Sequence, residues 1–578
     1  MSRGLVGSFT DFTLWTINHI ASPPAYKLLP TSSVSFPLCP ADSDRQTRMH
    51  SCRQPTNSQT TMNHLLPSQP LACLLLVATL LVSPLCASAQ ESRANANDAI
   101  RCTVGAQGGE PIDGLGVELD PHFLSANAAA GIGVKESDWD NVVVPRLRDL
   151  AFSKWRVMVL PWWYEPENDN DNPMLARPSG FTFKSPEMRG LYRQLDLAQQ
   201  DSIPVCLVFW GVRPGTFMLP EEANGWVFGP SEYEEWAENI CVCLHHLFSL
   251  GYTCIREVTP VNEPDWSFTE GSVSRIERYV QMCHVLDRRL KAEGLRERGL
   301  LTLSDDSDGG TGHHTFLRDA VRLLPEADLF CSHTYLFGYD TPNDSITGWE
   351  RTNVQLAAQR GKRHFVGEFG SNQTVGATRQ RDINLPERGV LMGRIVIGLL
   401  NGGATGASYW SLMDQYYSPG EAQGHHNMQQ LGLWKHLQQE YPCDSTQNCL
   451  PAADYALRPQ YHALRLLSHA VQSGSVVFPI HTVHPMVAAT SLRSAQGRWT
   501  YLLANPTSEP HVISISNPHL RGKKKFLLHS YLSDDFLQSV SQPSGTTTLK
   551  SRHGQVTILL PPRSLLSVSE PPSSPARH

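Results

Sequence analysis

Between residues 112 and 410 the apolar positions fall in short, nearly unbroken runs separated by longer stretches of helical periodicity. The runs are 112–119, 154–160, 205–209, 254–258, 300–303, 329–335, 364–368 and 405–410, several of them β-branched or aromatic, and each ends in polar or aromatic residues. Between them, residues 231–250 (SEYEEWAENICVCLHHLFSL) show the strongest helical pattern, with Ser231 and Glu234 spaced as a capping box and Gly251 as the stop. Residues 191–200 and 275–290 read the same way. Eight strand–helix repeats over roughly 300 residues predict an α/β fold, a (β/α)8 TIM barrel. A doubly wound open sheet is the alternative, but no Gly-rich phosphate loop opens any of the helices.

Past a last helix, ending near Ala470, the periodicity changes. Residues 476–479, 486–491, 500–504, 511–515, 526–532 and 556–560 read as short strands between Gly, Pro, Ser and Asn turns. They predict a small C-terminal antiparallel β-sandwich. The expected layout is a barrel over 90–470, a β-sandwich over 471–568 and a disordered tail over 569–578. No internal repeat is visible.

The N-terminal part calls for a different reading. Residues 71–82 (LACLLLVATLLV) form an apolar run too short to span a bilayer, followed by the small-x-small pattern Ala87-Ser88-Ala89. We read 62–89 as a signal peptide cleaved after Ala89, and 1–61 as an unstructured extension or gene-model artefact, with Met62 or Met49 as the better start. The mature protein is then expected to be secreted and off the membrane. Two N-glycosylation sequons, at Asn343 and Asn372, agree with that compartment.

Composition narrows the classes. The 578 residues carry 48 Lys+Arg against 55 Asp+Glu, a net charge of −7 that argues against a nucleic-acid partner. Thirteen Cys are too dilute for a disulfide scaffold. Cys443 and Cys449, in a polar loop, are the expected disulfide, whereas Cys206 and Cys331 sit in apolar runs and are expected to be buried thiols. No CxxC pair is present, and the adjacent His pairs 245–246, 313–314 and 425–426 cannot both face one ion from a helix, so no metal is expected.

Barrel enzymes carry their chemistry at the C-terminal ends of the strands. The fourth run leads into Val261-Asn262-Glu263-Pro264-Asp265-Trp266, and the seventh ends in Val366-Gly367-Glu368-Phe369-Gly370. Two carboxylates on rungs four and seven can face each other across the barrel mouth. Glycoside hydrolysis needs such a pair, one to protonate the leaving oxygen and one at the opposite face of the sugar.

In these residues the chain resembles the retaining β-glycosidases of glycoside hydrolase clan A, which includes families 5, 30 and 39. The resemblance covers roughly residues 110–470 in organisation. It implies Glu263 as acid/base, Glu368 as nucleophile and Asn262 as a ligand of the sugar 2-hydroxyl. Arg156, in Trp155-Arg156-Val157, matches the clan's nucleophile-supporting Arg on strand two. His333 and Tyr335, at the end of run six, match residues that contact the nucleophile, and Trp410 matches the Trp that floors the sugar subsite. Phe209-Trp210-Gly211 stands where family 5 often has His. With the C-terminal β-domain, it is more similar to families 30 and 39.

Trp210, Trp266 and the run Trp162-Trp163-Tyr164 offer aromatic faces for sugar rings, and Pro264 and Trp266 offer apolar cover to Glu263. Asp305, Asp306 and Asp308 could bind substrate hydroxyls or Ca²⁺, or be a solvated loop. The expectation is a secreted, monomeric, cofactor-free retaining β-glycosidase whose partner is a carbohydrate. The rivals are a transglycosidase using the same site and a non-catalytic carbohydrate-binding barrel.

Overall fold

The computed structural model describes residues 99–212, 229–270, 273–307, 314–375, 379–417, 428–437, 453–535 and 548–572. The expected leader, Cys443, Cys449, Asp308, His313, His425 and His426, and residues 573–578 of the tail lie outside them. The eight apolar runs become eight parallel strands: Gly114–Leu119, Lys154–Val159, Val205–Phe209, Ile255–Thr259, Leu300–Asp306, Leu329–Thr334, Arg363–Phe369 and Gly406–Tyr409. They close in chain order into a barrel, the eighth pairing with the first. Their residues are almost continuously buried because helices cover one face and the barrel interior the other, which is why they read as runs rather than alternations.

Among the boundaries that differ from expectation, two are informative. The fifth strand runs three residues further, through Ser304-Asp305-Asp306: Asp305 points into the barrel and accepts from Arg156, and the Ser304 hydroxyl donates to Asp306. The helix expected from Ser231 starts at Tyr233 with Glu232 at its cap and no side-chain cap bond, so the capping box does not form. At its other end Gly251 takes a left-handed φ of 92°, as a helix stop requires.

The β-domain is a nine-stranded sheet curled over its own apolar core. Six of its strands are the expected ones; Ile100–Val104, Thr548–Lys550 and Ser564–Ser569 complete it. The first of these corrects the domain layout. Ile100–Val104 pairs antiparallel with Val476–His481 and parallel with His511–Ser516, so a segment assigned to the barrel (90–470) belongs to the β-domain. Only Cys102 and Val104 of this strand are buried, too short an alternation to read in advance. The expected tail also starts late: Ser569 pairs with Thr500, and the Glu570 N–H donates to the Trp499 carbonyl.

The sheet's outer face packs on the helix Glu387–Gly402, which is buried on nearly every side. Gly389 and Gly393, one turn apart, let the sheet approach; a Cβ there would stand 2.6 Å from the Tyr531 ring and from Leu565. Seven cysteines are free and buried among the described residues, Cys206 and Cys331 included. At the Asn343 sequon the amide Nδ2 is buried without a hydrogen-bond partner, and Oδ1 accepts from Arg394 at 3.2 Å. Among the described residues no helix is long and apolar enough to cross a membrane.

Candidate active site

Arg156, on the second barrel strand, points into the barrel and is fully buried. Its Nη1 donates to Glu368 Oε1 at 2.7 Å and to Glu118 Oε2 at 2.8 Å. Its Nη2 donates to Asn262 Oδ1 at 2.7 Å and Asp305 Oδ2 at 2.8 Å. One planar guanidinium thus ties together strands one, two, five and seven and the segment after strand four. Glu368 receives a second bond from the Tyr335 hydroxyl at 2.8 Å, just past strand six. Both its oxygens are held.

Glu263 reaches the same space by another route. Its backbone is left-handed, φ 44° and ψ 63°, a conformation that costs a non-Gly residue on the order of 1–3 kcal/mol. The short helical turn Pro264–Ser267 sustains it: Trp266 and Ser267 N–H groups donate to the Glu263 carbonyl, and the Glu263 N–H donates to the Asp305 carbonyl. Its side chain, 28% exposed, stands at the open end and meets His333 Nδ1 at 3.0 Å. His333 Nε2 lies 3.0 Å from Asp305 Oδ1. A donor atom from each of Glu263, His333 and Glu368 falls within 4.8 Å of the other two.

Asp305 is the residue whose role the sequence conceals. Strand five bulges at Ser304 and Asp305, both with positive φ, and turns the Asp305 carboxylate inward beneath His333 and Arg156. It is fully buried, not an exposed loop acid. Space for it comes from Gly367, where a Cβ would sit 2.6 Å from Cys331 Sγ, 2.8 Å from Asp305 Oδ1 and 3.0 Å from His333 Nε2. Glu118 is the other unanticipated member. A charged residue inside the apolar run Gly114–Leu119 was the available signal.

These contacts set the charges. Burial opposes ionisation of Asp305, but Arg156 and His333 outweigh it and hold the carboxyl down at about 2. Burial also disfavours charge on His333, yet Glu368 and Asp305 hold it well above the usual imidazole range. Burial pushes Glu118 well above the carboxylate range, with Arg156 pulling it back. Glu368 is raised by burial, with His333 and Arg156 pulling it back. Burial and the Glu368 charge keep Tyr335 a phenol.

Trp210 and Trp410 are buried side by side, ring centroids 5.3 Å apart, and Arg156 lies 5.6 Å from the Trp210 ring. Trp266, by contrast, is 58% exposed and stands out at the rim instead of covering Glu263. Trp163 and Tyr164 are core residues. His245 and His246 turn to different partners, Glu293 and Tyr192. The Glu263–His333–Glu368 trio is, among the described residues, where acid and imidazole donors converge. Both Glu368 oxygens are engaged, by Arg156 and Tyr335, and one Glu263 oxygen is engaged, by His333.

No protein-family model and no curated protein sequence matches the chain. Solved structures do. The chain is similar to the catalytic domain of the GH30 xylanase C from Talaromyces cellulolyticus, at 15% identity and a TM-score of 0.56, covering 82% of this chain and 100% of that one. It is similar to a monomeric β-xylosidase from Caulobacter crescentus CB15, at 14% identity and a TM-score of 0.54, covering 82% and 100%. A GH39 enzyme from Xanthomonas axonopodis pv. citri matches at 15% identity and a TM-score of 0.52, covering 84% and 99%. At these identities the likeness is one of fold: the chain has the architecture, barrel plus β-domain, of clan A glycoside hydrolases.

Proposed function

We propose that the protein is a secreted retaining β-glycosidase, with Glu368 as nucleophile and Glu263 as acid/base. The observation that carries this reading is the unequal treatment of two facing carboxylates. Arg156 and Tyr335 grip both oxygens of Glu368 in the barrel, while Glu263 stands at the open side with one oxygen on His333. A gripped carboxylate bordered by a cation suits a nucleophile, and a partly exposed one suits proton exchange with leaving group and water. Carboxylate oxygens within 4.8 Å of each other support direct attack, since an intervening water needs roughly 6.5–9.5 Å between carboxyls.

In this mechanism Glu368 attacks the anomeric carbon as Glu263 protonates the departing oxygen. Water then enters from the vacated face, Glu263 takes its proton, and the ester to Glu368 breaks. Asn262, held by Arg156, presents its amide to the sugar 2-hydroxyl, and Trp410 beside Trp210 floors the subsite. Similarity of fold to a xylanase and a β-xylosidase makes β-xylosides, with β-glucosides, the first substrates to try. Secretion rests on the apolar run at residues 71–82 and Ala87-Ser88-Ala89. Following the anomeric proton by NMR before mutarotation tests the mechanism. A β-anomer first is expected from a β-glycoside, and an α-anomer first rejects it.

A further inference from the structure

Charge is segregated along the β-domain. Residues 100–104 and 476–572 carry ten Lys or Arg against four Asp or Glu, in a chain whose net charge is −7. Strand register fixes where these charges lie. Ser564 pairs with both Asn505 and Leu532 at one end of the sheet, where Asp534 and Asp535 follow and Arg563 lies 3.1 Å from Asp534. Glu509 belongs to the same end, its carbonyl accepting from Asn505 Nδ2 at 2.8 Å. At the opposite end Ser569 pairs with both Thr500 and Leu527, and Lys525 stands directly across from Lys550. The loop 521–524 folds beside the turn that follows Lys550. There the Lys524 N–H donates to Ser551 Oγ at 2.9 Å, and the Ser551 N–H donates to the Lys524 carbonyl at 3.0 Å.

Arg521, Lys523, Lys524, Lys525, Lys550 and Arg552 are all exposed. Among the described residues the ion pair at this end joins Lys524 to Glu570, at 3.3 Å. Residues 536–547 and 573–578, outside the described ones, contain no acid to pair with the rest. Like charges directly opposite on paired strands repel, so Lys525 facing Lys550 is unfavourable unless an anion lies over them. Lysines do guard sheet edges, and Thr548–Lys550 is an edge strand. Lys550 alone serves that purpose, and the other five cations lie off the strand. This end also faces away from the cleft. Arg493, paired with Trp499, pairs on its other side with Val476, and the preceding Ser475 carbonyl accepts from the Ile112 N–H just ahead of barrel strand one. The cationic end therefore sits where the barrel strands begin, whereas Glu263 and Glu368 sit where they end.

We propose that this end of the β-domain is an anchoring surface for an acidic polysaccharide, one whose uronate carboxylates or sulfate esters recur along the chain. The choice of a polysaccharide rests on the glycosidase reading; the charged surface stands without it. Clustered cations of one sign raise the local potential and concentrate a polyanion. The exposed large apolar side chains of the described residues all lie outside 517–555. The surface thus has neither a wedge to enter a bilayer nor an aromatic face to stack on nucleobases. Anchoring at the end where the barrel strands begin leaves the mouth open to substrate.

The test measures binding of the full mature chain to immobilised polygalacturonate by biolayer interferometry, with neutral dextran as the control surface. Binding to polygalacturonate alone, weakening as NaCl is added, is expected. The combined variant Lys523→Gln, Lys525→Gln, Lys550→Gln, Arg552→Gln should lose affinity on the order of tenfold or more. Its kcat on an aryl β-glycoside should be unchanged, and Asp534→Asn with Asp535→Asn, at the far end, should bind as the parent does. No binding by the parent, equal binding to dextran, or unchanged affinity in the combined variant would overturn the proposal. Tighter binding to phosphatidylserine vesicles or to duplex DNA at equal charge would also overturn it. If the combined variant does not fold, Lys523→Gln with Lys525→Gln decides. A parent protein that binds polygalacturonate but turns over no glycoside rejects the catalytic reading and supports this surface.

Discussion

Arg156 Nη1 lies 2.7 Å from Glu368 Oε1 while its Nη2 lies 2.7 Å from Asn262 Oδ1, so one guanidinium positions both the proposed nucleophile and the proposed 2-hydroxyl ligand. Lysine cannot do this, because an ammonium lacks the planar fork that reaches four acceptors at once. Arg156→Lys should lower kcat on an aryl β-glycoside by about 10²–10³-fold, the scale seen when one preorganised donor is removed. Near-parental kcat in a folded Arg156→Lys protein would refute this coupling.

Glu368 and Glu263 should fail in different ways. Glu368→Gln should lose turnover of every substrate, because no covalent intermediate forms. Glu263→Ala should keep activity on aryl glycosides with good leaving groups, and azide should restore turnover and give a β-glycosyl azide. Azide rescue of Glu368→Gln with the same β product would reverse the two roles.

The pH profile carries a sign. As the proposed nucleophile Glu368 must be ionised to attack, and burial raises its pKa above the ordinary carboxylate value. Activity is then present above that raised pKa and lost as pH falls through it. The acidic limb of kcat/KM should sit above the ~4.3 of an unperturbed Glu. Tyr335→Phe, which removes a donor to the carboxylate, should move it higher still. A limb at or below the unperturbed value contradicts the assignment.

Asp305 predicts the opposite window, read in stability. Its folded pKa of about 2 lies below the unfolded value, so its contribution is complete above about pH 4 and fades as pH falls through 2. Thermal melts of the parent protein should decline across that range, and those of Asp305→Asn should decline less. The contribution lost is on the order of 2 kcal/mol. Identical acid profiles for the two proteins would show that the Arg156–Asp305–His333 contacts contribute nothing to folding.

Seating of the β-domain on the barrel is testable by substitution. Leu565, fully buried against the helix Glu387–Gly402, should cost about 2–5 kcal/mol when cut to Ala. Activity per folded molecule should be unchanged. Truncation at Ser473 should yield insoluble protein; a soluble, stable and active barrel would disprove the packing argument.

How far the sequence reaches depends on what each residue answers to. The eight barrel strands are legible because burial on both faces turns them into apolar runs, and Glu263 and Glu368 because polar residues end those runs. Arg156 and Tyr335 follow from the same register. Asp305 is not legible, since its place depends on a bulge in strand five and on the missing side chain of Gly367, which no pattern in either segment announces. Glu118 hides within an apolar run, and Trp266 misleads because a residue beside the proposed acid/base in sequence can still point away. Ile100–Val104 escapes because its partners lie more than 370 residues downstream.

That last strand has a consequence for biosynthesis. In topological terms the barrel is an insertion within the β-domain, which contributes one strand before it and eight after. The ribosome releases Ile100–Val104 first, and that strand must wait, edge unpaired, until Val476–His481 and His511–Ser516 emerge. At about 5–20 residues per second the delay is on the order of tens of seconds. During it the two buried positions, Cys102 and Val104, are open to other partners. The β-domain therefore closes last, and its closure joins the two ends of the folded chain.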